Sequence, residues 1–184
     1  MSGREAIRAE MHRLSRRGAH AEAPPRVLGR VKVDLDPEVD PLAYLERLTD
    51  VLSAAVSLAE SASFDEDALR EDIIPEWFSR VTSTDLDVDL AESVEMRGRR
   101  RYQEFFGEEP WSLQEWLFSF DPDRRHWSWW SGSPGDHKVI LWVDTRGEPV
   151  VASHSLIWLA YVAGATRVGA IELCSTDDWA VEDE

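Results

Sequence analysis

His126-Trp127-Ser128-Trp129-Trp130-Ser131-Gly132-Ser133-Pro134-Gly135-Asp136-His137-Lys138-Val139-Ile140-Leu141-Trp142-Val143-Asp144 is the stretch that decides the fold class. His126–Trp130 alternates with the two-residue period of a strand: Trp127 and Trp129 share one face, and His126, Ser128 and Trp130 share the other. Ser131–Gly135 reads as a loop and Val139–Val143 as an apolar strand, so the stretch predicts an antiparallel pair.

Helices flank this pair on both sides. Upstream, Ser112-Leu113-Gln114-Glu115 is a capping box opening a helix over Leu113–Phe120, whose buried face is Trp116, Leu117 and Phe120. Asp121-Pro122-Asp123 stops it. Downstream, Asp144-Thr145-Arg146-Gly147 is a turn. Ser153 or Ser155 then caps a helix through Ala163 that is apolar nearly all round and therefore buried, with Gly164 at its end. Val168–Cys174 is a final strand.

The N-terminal half opens with the alternating strand Val31–Asp36, followed by a helix over Leu42–Ala59 with Asp40 as cap and Pro41 at its first position. One kinked helix or two short helices are expected from Asp65 to Val81, with Pro75 as the interruption. Asp85–Leu90 reads as an acidic edge strand or an extended loop, and residues 94–106 as a helix despite Gly98. Segregated helices with hairpin-linked strands predict an α+β fold: an antiparallel or mixed sheet packed against several helices in one main domain. That domain is expected over 26–176, with a basic, weakly ordered tail over 1–25 and an acidic tail over 177–184. Ile7, Met11 and Leu14 make only a thin helical stripe in the first of these.

Charge narrows the partners. The chain of 184 residues has a formal net charge of -16. Residues 1–30 carry +4, 31–96 carry -14, 97–101 carry +4 and 102–184 carry -10. So negative a body repels phosphate backbones and attracts a basic protein. No stretch approaches the roughly 20 apolar residues that span a bilayer. The start lacks the apolar core of a secretory signal, and the single Cys174 forms no internal disulfide, so a reducing cytoplasm is expected.

Catalytic and metal motifs fail one by one. Asp85-x-Asp87-x-Asp89 has the opening spacing of a calcium loop, but Leu90 and Met96 stand where Gly and Glu are needed. Asp121, Asp123, His126, Asp136 and His137 cluster in sequence without a metal-ligand repeat. Cys174 with His154 as base would make a nucleophile, although a lone Cys ending an apolar strand is ordinarily core. No phosphate loop, nucleophile elbow or dinucleotide fingerprint occurs. The sequence therefore predicts no catalytic residue, no metal site and no cofactor.

The leading expectation is a non-enzymatic module that binds a basic partner, in character an immunity or antitoxin-type protein. Asp85, Asp87 and Asp89 would steer the partner, and Trp127, Trp129 and Trp130 would anchor it. These tryptophans cannot all face one core if the strand has two faces. Arg97, Arg99, Arg100 and Arg101 form the positive island; they pair with the acidic strand 85–89 or bind an anion. Two alternatives stand beside this. One is a small-ligand domain or enzyme with a pocket between hairpin 126–143 and helix 153–163, using His126, His154 and Asp144. The other is a subunit of a larger assembly.

Overall fold

The strand Val27–Leu35 (β1) organises the molecule. It pairs antiparallel along one edge with Lys138–Asp144 (β3). Its other edge takes two short strands, Ala165–Val168 beside its C-terminal end and Glu172–Ser175 beside its N-terminal end. Ser128–Pro134 (β2) completes the sheet by pairing antiparallel with β3. With Ala165–Val168 as β4 and Glu172–Ser175 as β5, the order is β2-β3-β1-β4, and β5 also lies against β1. The computed structural model describes residues 3–15, 23–83, 92–107 and 109–182. The fold is α+β, with helices Gly3–Ser15 (α1), Pro41–Ser61 (α2), Glu76–Val81 (α3), Val94–Phe106 (α4), Leu113–Phe118 (α5), His154–Ala163 (α6) and Thr176–Glu182 (α7).

Alternation along β1 divides the sheet into two faces. Val31, Val33 and Leu35 point into the main core with Leu141 and Val143 of β3. α2 and α6 supply most of the opposing surface. Asp40 caps α2 by accepting the Ala43 N–H at 2.9 Å, with Pro41 in the first turn. In α6 every residue from Ser155 to Ala163 is buried, as its lack of a polar face requires. The helices meet through specific polar contacts as well: Tyr44 donates its hydroxyl to Ala160 O at 3.1 Å, and Trp116 donates its indole N–H to Ser155 O at 2.9 Å. Gly98 explains itself where α4 crosses α6, because a Cβ there would lie 1.9 Å from Tyr161 O.

Five expectations are corrected. The helix anticipated from Asp65 is a loop, and only Glu76–Val81 is helical, since Pro75 disfavours helical geometry in the residue before it. The supposed loop Ser131–Pro134 continues β2, so the reversal falls at Gly135–His137, where His137 takes φ 51°. The single last strand is two strands, separated where the Gly169 N–H donates to Lys32 O at 2.8 Å. Among the described residues of the N-terminal segment, Gly3–Ser15 is no loose tail: α1 buries Ile7, Glu10 and Leu14 against the body. The C-terminal segment likewise folds into α7, whose Trp179 donates to Ser131 Oγ at 2.9 Å.

α7 also resolves the puzzle of the indoles. A register shift between Trp129 and Ser131 leaves Trp130 as the extra residue of a bulge. Trp127 and Trp129 enter the main core. Trp130 joins Leu28 and Trp142 in a second small core on the outer face of the sheet, beneath Trp179, whose ring lies 5.9 Å from it edge to face.

Candidate protein-binding face

The residues expected to anchor a partner are inside. Trp127, Trp129 and Trp130 are at most 4% exposed, so none presents an indole to a partner. This overturns their assignment as surface anchors: Trp127 and Trp129 fill the main core, and Trp130 the second core that α7 closes over the outer face. Asp85, Asp87 and Asp89 lie outside the described residues.

Three of the four arginines of the island are engaged within the chain. Arg97 and Arg101, one turn apart on α4, both reach Asp36 Oδ2, at 3.3 and 3.1 Å. Arg97 also holds Glu38 at 2.7 Å, and Arg99 donates to the carbonyls of Val81 and Ser83. Arg100 alone of the four points to solvent. Among the described residues, the acids these arginines meet are those following β1. Burial on its own would raise the Asp36 carboxyl. The Glu38 N–H, Arg101 and Arg97 outweigh it and hold the group below the usual carboxylate range.

His126, His154 and Asp144, expected together at a pocket between the hairpin and α6, have separate surroundings. His126 and His154 are both exposed, His154 lies against Phe106 with centroids 5.7 Å apart, and Asp144 caps the Arg146 N–H at 2.8 Å. A cavity of about 970 Å³ sits on the open half of the outer sheet face, away from α6. Lys32, Asp34, Lys138, Arg167 and Glu172 line it, and none of His126, His154 or Asp144 does. Its charges cancel in pairs such as Lys32–Glu172 at 3.6 Å and Lys138–Asp34 at 3.9 Å.

A negative face is assembled instead around the loop that follows α2. Residues 60–76 contain Glu60, Asp65, Glu66, Asp67, Glu71, Asp72 and Glu76 against the single base Arg70. Arg70 is occupied by Asp72 through a two-pronged contact of 3.0 and 2.7 Å, which holds the Asp72 carboxyl below its ordinary value. The loop is tied down from within. Leu69 and Ile74 are buried, and Phe64 meets Phe118 edge to face at 6.2 Å.

Gln114, on the capped first turn of α5, grips the loop backbone as a neighbouring strand would. The Leu69 N–H donates to Gln114 Oε1 at 2.9 Å, while Gln114 Nε2 donates to Leu69 O at 2.8 Å and to Glu71 at 2.6 Å. The capping box expected from sequence positions that turn: Ser112 Oγ accepts from the Glu115 N–H at 3.2 Å, and the Ser112 N–H donates to Glu115 at 2.9 Å.

Two grooves flank the pinned loop. One, of about 220 Å³, has Phe64 in its wall and Asp65, Asp121 and Asp123 beside it, with Arg4 of α1 opposite. The other, of about 400 Å³, is lined by Leu58, Leu69 and the exposed Ile73, with Glu66 and Arg70 among its polar residues. Carboxylates with apolar side chains among them suit the side chains of lysine and arginine, which bury a hydrocarbon stem and keep a charged head wet. Among the described residues no three of His, Cys, Asp and Glu gather closely enough to hold a metal ion together, and no helix is long and apolar enough to cross a membrane. Sequence reading missed this face because it took 65–74 for helix; the density of acids over 60–76 was the available signal. Compared with protein-family models, curated proteins and solved structures, the chain matches none.

Proposed function

We propose that the chain is a protein-binding module of immunity or antitoxin type, acting in the cytoplasm without a catalytic step or cofactor, and that it captures a basic partner on the face built around loop 62–75. The observation that carries this reading is the pair of largely polar grooves, each with a carboxylate and some apolar side chain in its lining, on either side of a loop held by Gln114. Long-range attraction toward a body of net charge -16 speeds encounter, and insertion of lysine or arginine stems into the grooves then fixes register. A surface held in place before binding loses little entropy on docking.

Fluorescence anisotropy with a labelled Lys/Arg-rich peptide tests this. Binding is expected at low salt and should weaken as salt rises. Reversing Asp65, Glu66 and Asp123 to Lys together should weaken it at least about tenfold, a loss of about 1.4 kcal/mol. Reversing Asp136 and Glu148, which line neither groove, should do much less. Equal losses from both sets would reduce the effect to net charge and defeat the assignment of the face.

A further inference from the structure

Three arginines distant in sequence, Arg13, Arg125 and Arg146, gather where α1 meets the start of β2 and the turn after β3. Arg13 donates from Nε to Trp129 O at 2.8 Å and from Nη2 to Ser128 Oγ at 3.3 Å. Ser128 is the cross-strand partner of Asp144, whose Oδ1 takes the Arg146 N–H at 2.8 Å. Arg125 lies between the rings of Phe120 and Trp127, at 4.3 and 4.0 Å.

Few carboxylates serve this group. Glu10 is saturated: its two oxygens take Arg125 Nη1 and Nη2 at 2.7 and 2.9 Å, and Oε1 also accepts the Trp129 N–H at 2.6 Å. Asp144 is spent on backbone at the turn. Three buried guanidinium donors, Arg125 Nε and Arg146 Nε and Nη2, are left with no acceptor. Arginine stays charged at any physiological pH, so these donors cannot be silenced by losing a proton. Burial, set against the pull of Glu10, lowers the Arg125 pKa, and the charges of Arg146 and Arg13 push it the same way.

Arg146 carries a second oddity. It and Gly147 take φ 55° and 83°, and the Glu148 N–H closes the turn on Thr145 O at 3.0 Å. Gly, Asn and Asp dominate the first of those two positions. An arginine held there, with its guanidinium turned inward and unmatched, has no advantage for the turn itself.

We propose that Arg146, backed by Arg125 and Arg13, forms a binding site for a tetrahedral oxyanion of the phosphate class. Nε and Nη2 are one edge of the planar guanidinium fork, which grips two oxygens of one anion. A carboxylate brings a single charge, whereas phosphate carries a larger one to set against the local positive excess. The site uses none of the groove residues and stands independently of the proposed partner face.

Inorganic phosphate is the probe, with chloride at matched ionic strength as reference. Thermal unfolding and tryptophan emission report on it, since Trp127 and Trp130 lie under Arg125 and Arg13 at 4.0 and 4.9 Å. Phosphate should raise Tm saturably by a few degrees beyond chloride and shift the emission. Arg146→Gln and Arg146→Asn should both abolish the rise, while Arg100→Gln should retain it. Without phosphate, Arg146→Asn should be at least as stable as the parent, because it removes both the unmatched charge and the unfavourable turn residue. Equal Tm in phosphate and chloride, an undiminished response in both Arg146 variants, or a marked loss of stability in phosphate-free Arg146→Asn would overturn the proposal.

Discussion

Glu10 of α1 and Arg125 before β2 form a two-pronged ion pair at 2.7 and 2.9 Å, with side chains 0% and 1% exposed. The same carboxylate takes the Trp129 N–H, and Arg13 one turn along α1 donates to Trp129 O. Edge strands leave such backbone groups open to pairing with another chain. Here two side chains of one helix satisfy both groups of one edge residue, so α1 both closes the sheet and is held by it.

Removing one partner of that pair should be costly. Glu10→Ala leaves Arg125 charged, buried and unmatched, and the expected loss is about 3–5 kcal/mol. Replacing both, as in Glu10→Leu with Arg125→Met, should cost less than Glu10→Leu alone. Urea unfolding of the single and double variants measures the coupling; additive losses would show that the pair does not act as a unit.

Gly98→Ala should destabilise strongly although alanine is the better helix former. The added methyl would lie 1.9 Å from Tyr161 O and 2.5 Å from Tyr161 C, both backbone atoms of α6. Separating the helices to admit it should cost at least the about 1–3 kcal/mol of an overpacked core. Thermal unfolding decides this, and a variant as stable as the parent would mean that α4 and α6 do not cross so closely.

Gln114→Ala should loosen the acidic loop before it affects the rest of the molecule. It strips acceptor and donor from the Leu69 backbone and releases Glu71. Unsatisfied groups of this kind cost about 1–3 kcal/mol. Hydrogen exchange should show lost protection at the Leu69 amide while the β1 amides stay protected, and peptide affinity for the face should fall with it.

Asp36 should mark the acid limb of stability. Its folded pKa is depressed, so its contribution is fully present above the ordinary carboxylate value of about 4 and disappears as pH falls through the lower folded value. Asp36→Asn should therefore be less stable than the parent at neutral pH, with the gap closing below about pH 4. A gap of constant size across that range, measured by urea unfolding, would assign the loss to packing and not to the carboxylate's charge.

Legibility followed the range of the forces involved. The capping box at Ser112–Glu115, the Asp40 cap of α2, the all-apolar α6 and the strand 139–143 depend on neighbours within a turn or a pleat, and each was readable from the residues. The fate of 65–74 was not readable, since a helix-like spacing of Leu69 and Ile73 is overruled by Pro75 and by a grip from Gln114, 45 residues away. Neither was the destination of Trp130, which depends on a bulge and on Trp179 arriving from the far end of the chain.

Local pattern and composition by themselves determined the α+β class, most of the elements and the excess of negative charge. Tertiary structure alone decided which charges are free and which indoles are hidden. Asp36 gathers Arg97 and Arg101 across more than 60 positions, and Glu10 finds Arg125 across 115. Charge pairing and burial depend on distance in space, and periodicity along a chain carries no record of which distant segments folding will bring into contact.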